Sequence, residues 1–197
     1  MGLLILIAGL ILFLGVHVFV TLRDARATAI ARFGDGPYKG LFSLVAIIGV
    51  VAIVWGFGLY RQTGWVDVWY PPTVMRHVTA LLVWPAIILV LAAYLPGRIR
   101  QVTKHPMLAG VTLWAFAHLL SNGDLGSIVL FGSFLAWGVY ARIAAKRRGE
   151  EVGGNPTVSG GSGRSNDAIA IITGTVLYFA LGYWFHPAVI GVPAFGR

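Results

Sequence analysis

This sequence predicts an all-α fold, a polytopic membrane helix bundle of about six transmembrane helices, and three observations carry that prediction. Of 197 residues, 57% are hydrophobic and 11% charged. Soluble domains carry about a quarter charged residues, so lipid has to serve as the solvent for much of the surface. The apolar residues gather into runs of about 20, the length that crosses a bilayer. The basic residues alternate: twelve of the 15 Lys and Arg fall in the first, third and fifth loops. Arg61, Arg76 and Arg197 are the remainder. By the positive-inside rule the odd loops are cytoplasmic and both termini lie outside.

The first helix is predicted over Gly2–Leu22. It is apolar from its start, and its first basic residues, Arg23 and Arg26, follow it. A cleaved leader would carry its charge in front, so the segment reads as a retained helix. A polar stretch to Lys39 contains the turn Gly34-Asp35-Gly36-Pro37. The second helix covers Gly40–Tyr60. Trp65, Trp69 and Tyr70 then mark an interfacial aromatic belt. The third helix, Thr73–Leu95, contains Pro85 and is expected to kink there. After the basic segment Arg98–Lys104, the fourth helix starts at His105-Pro106, with proline in the first turn, and ends near Ser121. Asn122-Gly123-Asp124 is a tight turn. The fifth helix covers Leu125–Arg142. The Gly/Ser-rich region 144–166 is expected to be a flexible cytoplasmic loop. The sixth helix covers Asn166–Phe185. All of this belongs to one transmembrane domain, 1–197.

Several function classes fall away. With no cysteine there is no disulfide, thiolate metal site or cysteine nucleophile. The net charge of +8 sits at helix ends, so it is a topology signal and gives no reason to expect a nucleic-acid partner. No Asp, Glu, Lys or Arg lies well inside a predicted span, which weighs against proton pumping and ion-coupled transport.

The polar residues at depth are histidines. His17 lies in the first helix, His118 in the fourth and His77 near an edge of the third. His105 marks the mouth of the fourth helix, and His186 the outer end of the sixth. A neutral imidazole in hydrocarbon has to hydrogen-bond or coordinate. Facing histidines in a bundle suit haem ligation, while each alone suits a bond to a neighbouring helix. At about 1.5 Å per residue, His118 lies roughly 20 Å from the cytoplasmic mouth and His17 roughly 8 Å. Depth alone therefore pairs His77 with His118 and His17 with His105. Gly110, Trp114, Ala117, His118 and Ser121 share one helix face. That face suits either a flat ligand or small-residue helix packing. Gly174, Tyr178, Gly182 and His186 follow four-residue spacing, which favours packing.

The block Lys104-His105-Pro106-Met107-Leu108-Ala109-Gly110, followed by Leu113-Trp114-Ala115-Phe116-Ala117-His118-Leu119-Leu120-Ser121-Asn122-Gly123-Asp124, resembles the NnrU family of bacterial membrane proteins. His17 through Leu22-Arg23 looks like that family's first-helix motif, and Lys39-Gly40-Leu41-Phe42-Ser43-Leu44 like its second-helix start. The resemblance implies a bacterial inner-membrane location and an association with denitrification. There the protein would be an accessory factor in producing nitrite and nitric oxide reductases, with a respiratory complex as partner. The family in turn resembles plant zeta-carotene isomerase, which uses haem b to isomerise a cis double bond. That resemblance implies haem b, a polyene or other lipid-soluble substrate, and His17 and His118 as iron ligands. Trp114, His105 and His77 are further cofactor-binding candidates. Where that enzyme has a redox-active cysteine this chain has Ala115, so no thiolate ligand is available. Arg98, Arg100, Lys104 and His105 are placed to meet haem propionates, and equally serve as positive-inside charge. Lys104-His105-Pro106 and Glu150-Glu151 are also similar to the layout of membrane methyltransferases. The Gly153-Gly154-Asn155-Pro156 that follows interrupts the helix such an enzyme would need.

Overall fold

A computed structural model describes residues 1–147, 149 and 162–195. Among them are eight α-helices and no strand: α1 (Gly2–Thr21), α2 (Arg23–Phe33), α3 (Asp35–Thr63), α4 (Val74–Ala92), α5 (Arg98–Thr103), α6 (Pro106–Ser121), α7 (Leu125–Arg147) and α8 (Ser162–Ala180). The last continues in π-helical geometry over Leu181–Ile190. Five stretches are long and apolar enough to cross a membrane: α1, α3, α4, α7 and Gly163–Ile190. The predicted fourth span, α6, is apolar but only 16 residues long, or about 24 Å at 1.5 Å per residue. The protein is a multi-pass, all-α membrane protein.

The chain divides into two compact units. The first joins Met1–Tyr70 to Gly123–Trp137, and its core is the pair α1–α3. Gly49, Ile53, Gly56 and Tyr60 form the buried face of α3, and Gly2, Leu6, Gly9 and Leu10 that of α1. The glycines let the backbones touch. A Cβ on Gly9 would lie 2.6 Å from the Ile53 amide nitrogen, and one on Gly49 2.8 Å from that of Phe13. Lipid tails are as apolar as leucine, so close packing of this kind holds membrane helices together. The other side of α3 exposes Leu41, Leu44, Ile47, Val51, Val54 and Trp55, as a lipid-facing surface requires. Beyond α3, Trp65, Trp69 and Tyr70 are exposed. Tyr60 pins this segment, because its hydroxyl accepts the Val66 amide at 3.1 Å while its ring packs on Gly126 of α7. Asp124, 2% exposed, caps α7 by accepting the Ser127 amide at 2.9 Å.

The second unit joins Pro71–Asn122 to the described residues from Gly138 onward. Helix α4 is its spine and continues as one helix through Pro85. A Cβ on Gly110 of α6 would lie 2.7 Å from the Ala86 carbonyl, and one on Gly174 of α8 2.8 Å from Ile88 Cγ1. Thr79 donates to the Ala117 carbonyl at 2.7 Å, Tyr178 to that of Ala80 at 3.0 Å, and Trp84 to Thr175 at 2.9 Å. Bonds of this kind between membrane helices contribute about 0.6 kcal/mol on average.

The structure corrects the sequence reading in several places, and the basic segment Arg98–Lys104 is helical as α5. The polar stretch after the first helix is itself helical as α2, with no buried residue. The following helix starts at Asp35, not Gly40, because only Gly34, at φ 86°, separates it from α2. Both ends of the region 144–166 are helical: α7 runs on through Ala144, Ala145, Lys146 and Arg147, all good helix formers, and α8 begins at Ser162. Apart from Gly149, the residues between those helices lie outside the described ones, Glu150 and Glu151 among them.

Candidate functional site

In the first unit the site is built around His17, near the C-terminal end of α1. Four residues earlier on that helix is Phe13, whose carbonyl lies 2.6 Å from His17 Nδ1. A carbonyl only accepts, so Nδ1 carries the proton. In the neutral ring Nε2 is then the lone-pair nitrogen, the tautomer in which histidines ligate metals. The ring is bordered by Phe13 at 4.3 Å between centroids, Phe42 of α3 at 5.2 Å and Trp137 of α7 at 5.7 Å. Tyr38 lies one helical turn before Phe42, and the Arg26 guanidinium of α2 is 5.9 Å from its ring.

Arg26 Nε, Tyr38 Oη and Trp137 Nε1 are buried and have no hydrogen-bond partner among the described residues. Leaving such an atom unsatisfied costs about 1–3 kcal/mol, so three in one unit call for a partner such as a ligand or ordered water. Sequence reasoning missed them, because burial without a partner is a property of packing. The one sequence cue was the spacing of Tyr38 and Phe42, which puts them on one face.

In the second unit His118 repeats the arrangement of His17. Its Nδ1 lies 2.8 Å from the carbonyl of Trp114, four residues earlier, and the Trp114 ring is 5.1 Å away. The partner that sequence reasoning missed is His186, whose ring is 6.4 Å from that of His118 and inclined to it by 26°. His186 lies in the π-helical segment. The face Gly174, Tyr178, Gly182 and His186 packs in its first members, on Ile88 and the Ala80 carbonyl, and only its last member reaches a histidine. The small residues Gly110 and Ala117 likewise pack against α4.

His77 is exposed, one turn into α4. His105 is the residue before α6 and its carbonyl accepts the Ala109 amide at 3.0 Å. Before it, Lys104 is the one non-glycine residue at positive φ (59°) among the described residues, a strained conformation that turns the chain from α5 into α6. Of the basic group beside it, Arg98 already has a carboxylate at its backbone. Asp167 of α8 accepts the Arg98 amide at 2.9 Å and the Ile99 amide at 3.1 Å, which satisfies the N-terminus of α5. A hollow of about 350 Å³ lined by Arg98, Ile99, Val102, Thr103 and Asp167 adjoins them.

Among the described residues no three His, Cys, Asp or Glu side chains cluster as a metal site. A bare ion usually needs three or four protein ligands. A tetrapyrrole supplies four of its own and needs one or two histidines.

The family model described as NnrU protein matches residues 5–194. The chain belongs to the NnrU family. No curated protein and no solved structure matches it. The NnrU match takes in both histidine neighbourhoods, the aromatic belt and the Asn122-Gly123-Asp124 turn.

Proposed function

We propose that this NnrU-family membrane protein binds haem b through half-buried histidines of its apolar helices, with His17 and His118 as the candidate ligands. One observation carries the proposal: each ring donates Nδ1–H to the carbonyl four residues earlier, which fixes its orientation and puts the lone pair on Nε2. The donor set fits the group. Trp114 flanks His118, while Phe13 and Phe42 flank His17, apolar walls of the kind a porphyrin face needs. When bound, haem supplies a Lewis-acidic, redox-active iron. The chain's own residues hold their imidazoles in one tautomer and surround them with apolar rings.

A second ligand assignment has its own support. The His118 and His186 rings are near neighbours in the second unit. Their centroids stand 6.4 Å apart, so His186 is the alternative to His17 as the second histidine that would hold the group. Absorption spectra of the purified protein test both assignments. A Soret band is expected in the wild type, and its loss or shift in His118→Ala is expected under either. A shift in His17→Ala and none in His186→Ala supports the first assignment, and the reverse supports the second. No Soret band after expression with ample haem sinks the proposal.

Polyene isomerisation and a part in reductase production are the roles that haem binding would serve. They are separated by complementation. A knockout whose reductase activity returns with a His17→Ala, His118→Ala double variant assigns the protein an accessory role that needs no haem.

A further inference from the structure

We infer that Arg26, Tyr38 and Trp137 form a carboxylate-binding site beside His17, which holds the acidic side chains of the tetrapyrrole. This rests on the haem reading above and adds to it how the cofactor is oriented. The three buried atoms without partners, Arg26 Nε, Tyr38 Oη and Trp137 Nε1, have one chemistry in common. Arginine and the indole can only donate, and the phenol donates readily. A ligand that satisfies all three must present acceptor oxygens. Arginine stays charged at any ordinary pH, so the matching oxygens are anionic.

The site also has a direction. Trp137 stands edge-on to His17, with ring planes at 87°. Phe42 lies on the α3 flank of His17. One turn of α3 beyond it, about 5.4 Å, is Tyr38, with Arg26 over its ring. Along α3 the surface therefore changes from aromatic at Phe42 to donor-bearing at Tyr38 and Arg26, while Trp137 brings a donor beside the imidazole itself. An apolar plane with carboxylates on one edge matches that order. A neutral polyene lacks the oxygens, and a bare metal ion needs acceptors where this site has donors. The site lies where α1 ends and α2 and α3 begin, so a bound carboxylate sits toward the end of the span, not at its middle. The basic segment at α5 is a poorer candidate because the Asp167 carboxylate already occupies its helix N-terminus.

The test uses the full chain in detergent, titrated with iron protoporphyrin IX and with its dimethyl ester, which keeps the plane and the iron but has no carboxylate charge. Binding is followed at the Soret band. The wild type is expected to bind the diacid about tenfold or more tighter than the ester, as a charge-assisted contact to carboxylate predicts. Arg26→Gln, Tyr38→Phe and Trp137→Phe should each move that ratio toward one, with thermal unfolding like the wild type's, and Arg26→Lys should restore part of it. Equal wild-type affinities for diacid and ester overturn the inference. So does a ratio that survives in Arg26→Gln but is lost in an Arg98→Gln, Arg100→Gln double variant, which would move the carboxylates to α5. Absence of a Soret band with either compound overturns this inference together with the haem proposal, whereas tight binding without preference overturns this inference alone.

Discussion

Tyr60 does the work of a lock at the scale of a single residue. It is 1% exposed, its ring fills the space that Gly126 leaves, and its hydroxyl holds the Val66 amide. Tyr60→Phe removes only the hydrogen bond and should cost about 1 kcal/mol. Tyr60→Ala also opens a cavity and should cost about 3–5 kcal/mol. Denaturant unfolding in mixed micelles measures both, and equal losses would show that the hydrogen bond, not the ring, dominates. Asp124→Ala should cost about 0.5–2 kcal/mol through the lost cap of α7, read from the same unfolding curves. At this scale the histidines were legible, because a polar ring in an apolar run stands out in one dimension. Trp137, Tyr38, Arg26 and the His118–His186 contact were not. They depend on what lies opposite in space, and an isolated sequence does not record that.

Among the elements, the spans were readable because the bilayer dictates their length and polarity. Helices α2 and α5 were not, since both are short and polar and neither buries a residue. Helix α2 owes its helicity to Ala and Arg, good helix formers, up to the stop at Gly34, while Asp167 caps α5. The close approach of α1 and α3 is the most sensitive feature of the first unit. Gly9→Leu would drive a side chain into the Ile53 backbone and should destabilise by about 1–3 kcal/mol or more, seen as a lower unfolding midpoint. Gly40 on the same α3 has nothing within 4 Å of an added Cβ. Gly40→Ala should therefore stabilise by about 0.5–1 kcal/mol through the restricted unfolded chain. If both substitutions lower the midpoint alike, close packing is not what sets these two positions apart.

For the whole molecule, the all-α membrane class and NnrU membership were legible from composition and from the block around His118. The division into two compact units was not, because both are made of the same kind of apolar helix. The loop charges make a topological prediction that suits a chain without cysteine, since any introduced thiol is the only one. In intact cells, a membrane-impermeant maleimide should label Gly64→Cys, between α3 and α4, and leave Asp24→Cys on α2 unlabelled until the membrane is opened. The opposite pattern would place both termini in the cytoplasm and reverse the charge reading.

The π-helical end of the last span has a consequence for how the chain tolerates change in length. A wide turn of this kind equals an α-helix with an extra residue absorbed into it. Removing one residue between Leu181 and Phe185 would let the segment tighten toward α-helical geometry and take up the deletion locally. The same deletion in the α-helical part, before Leu181, would turn everything beyond it by about 100° around the axis. His186 would then swing off the side that meets His118, although no residue of the pair had been altered. The wide segment is where the last span tolerates a change in length while keeping those two rings in register.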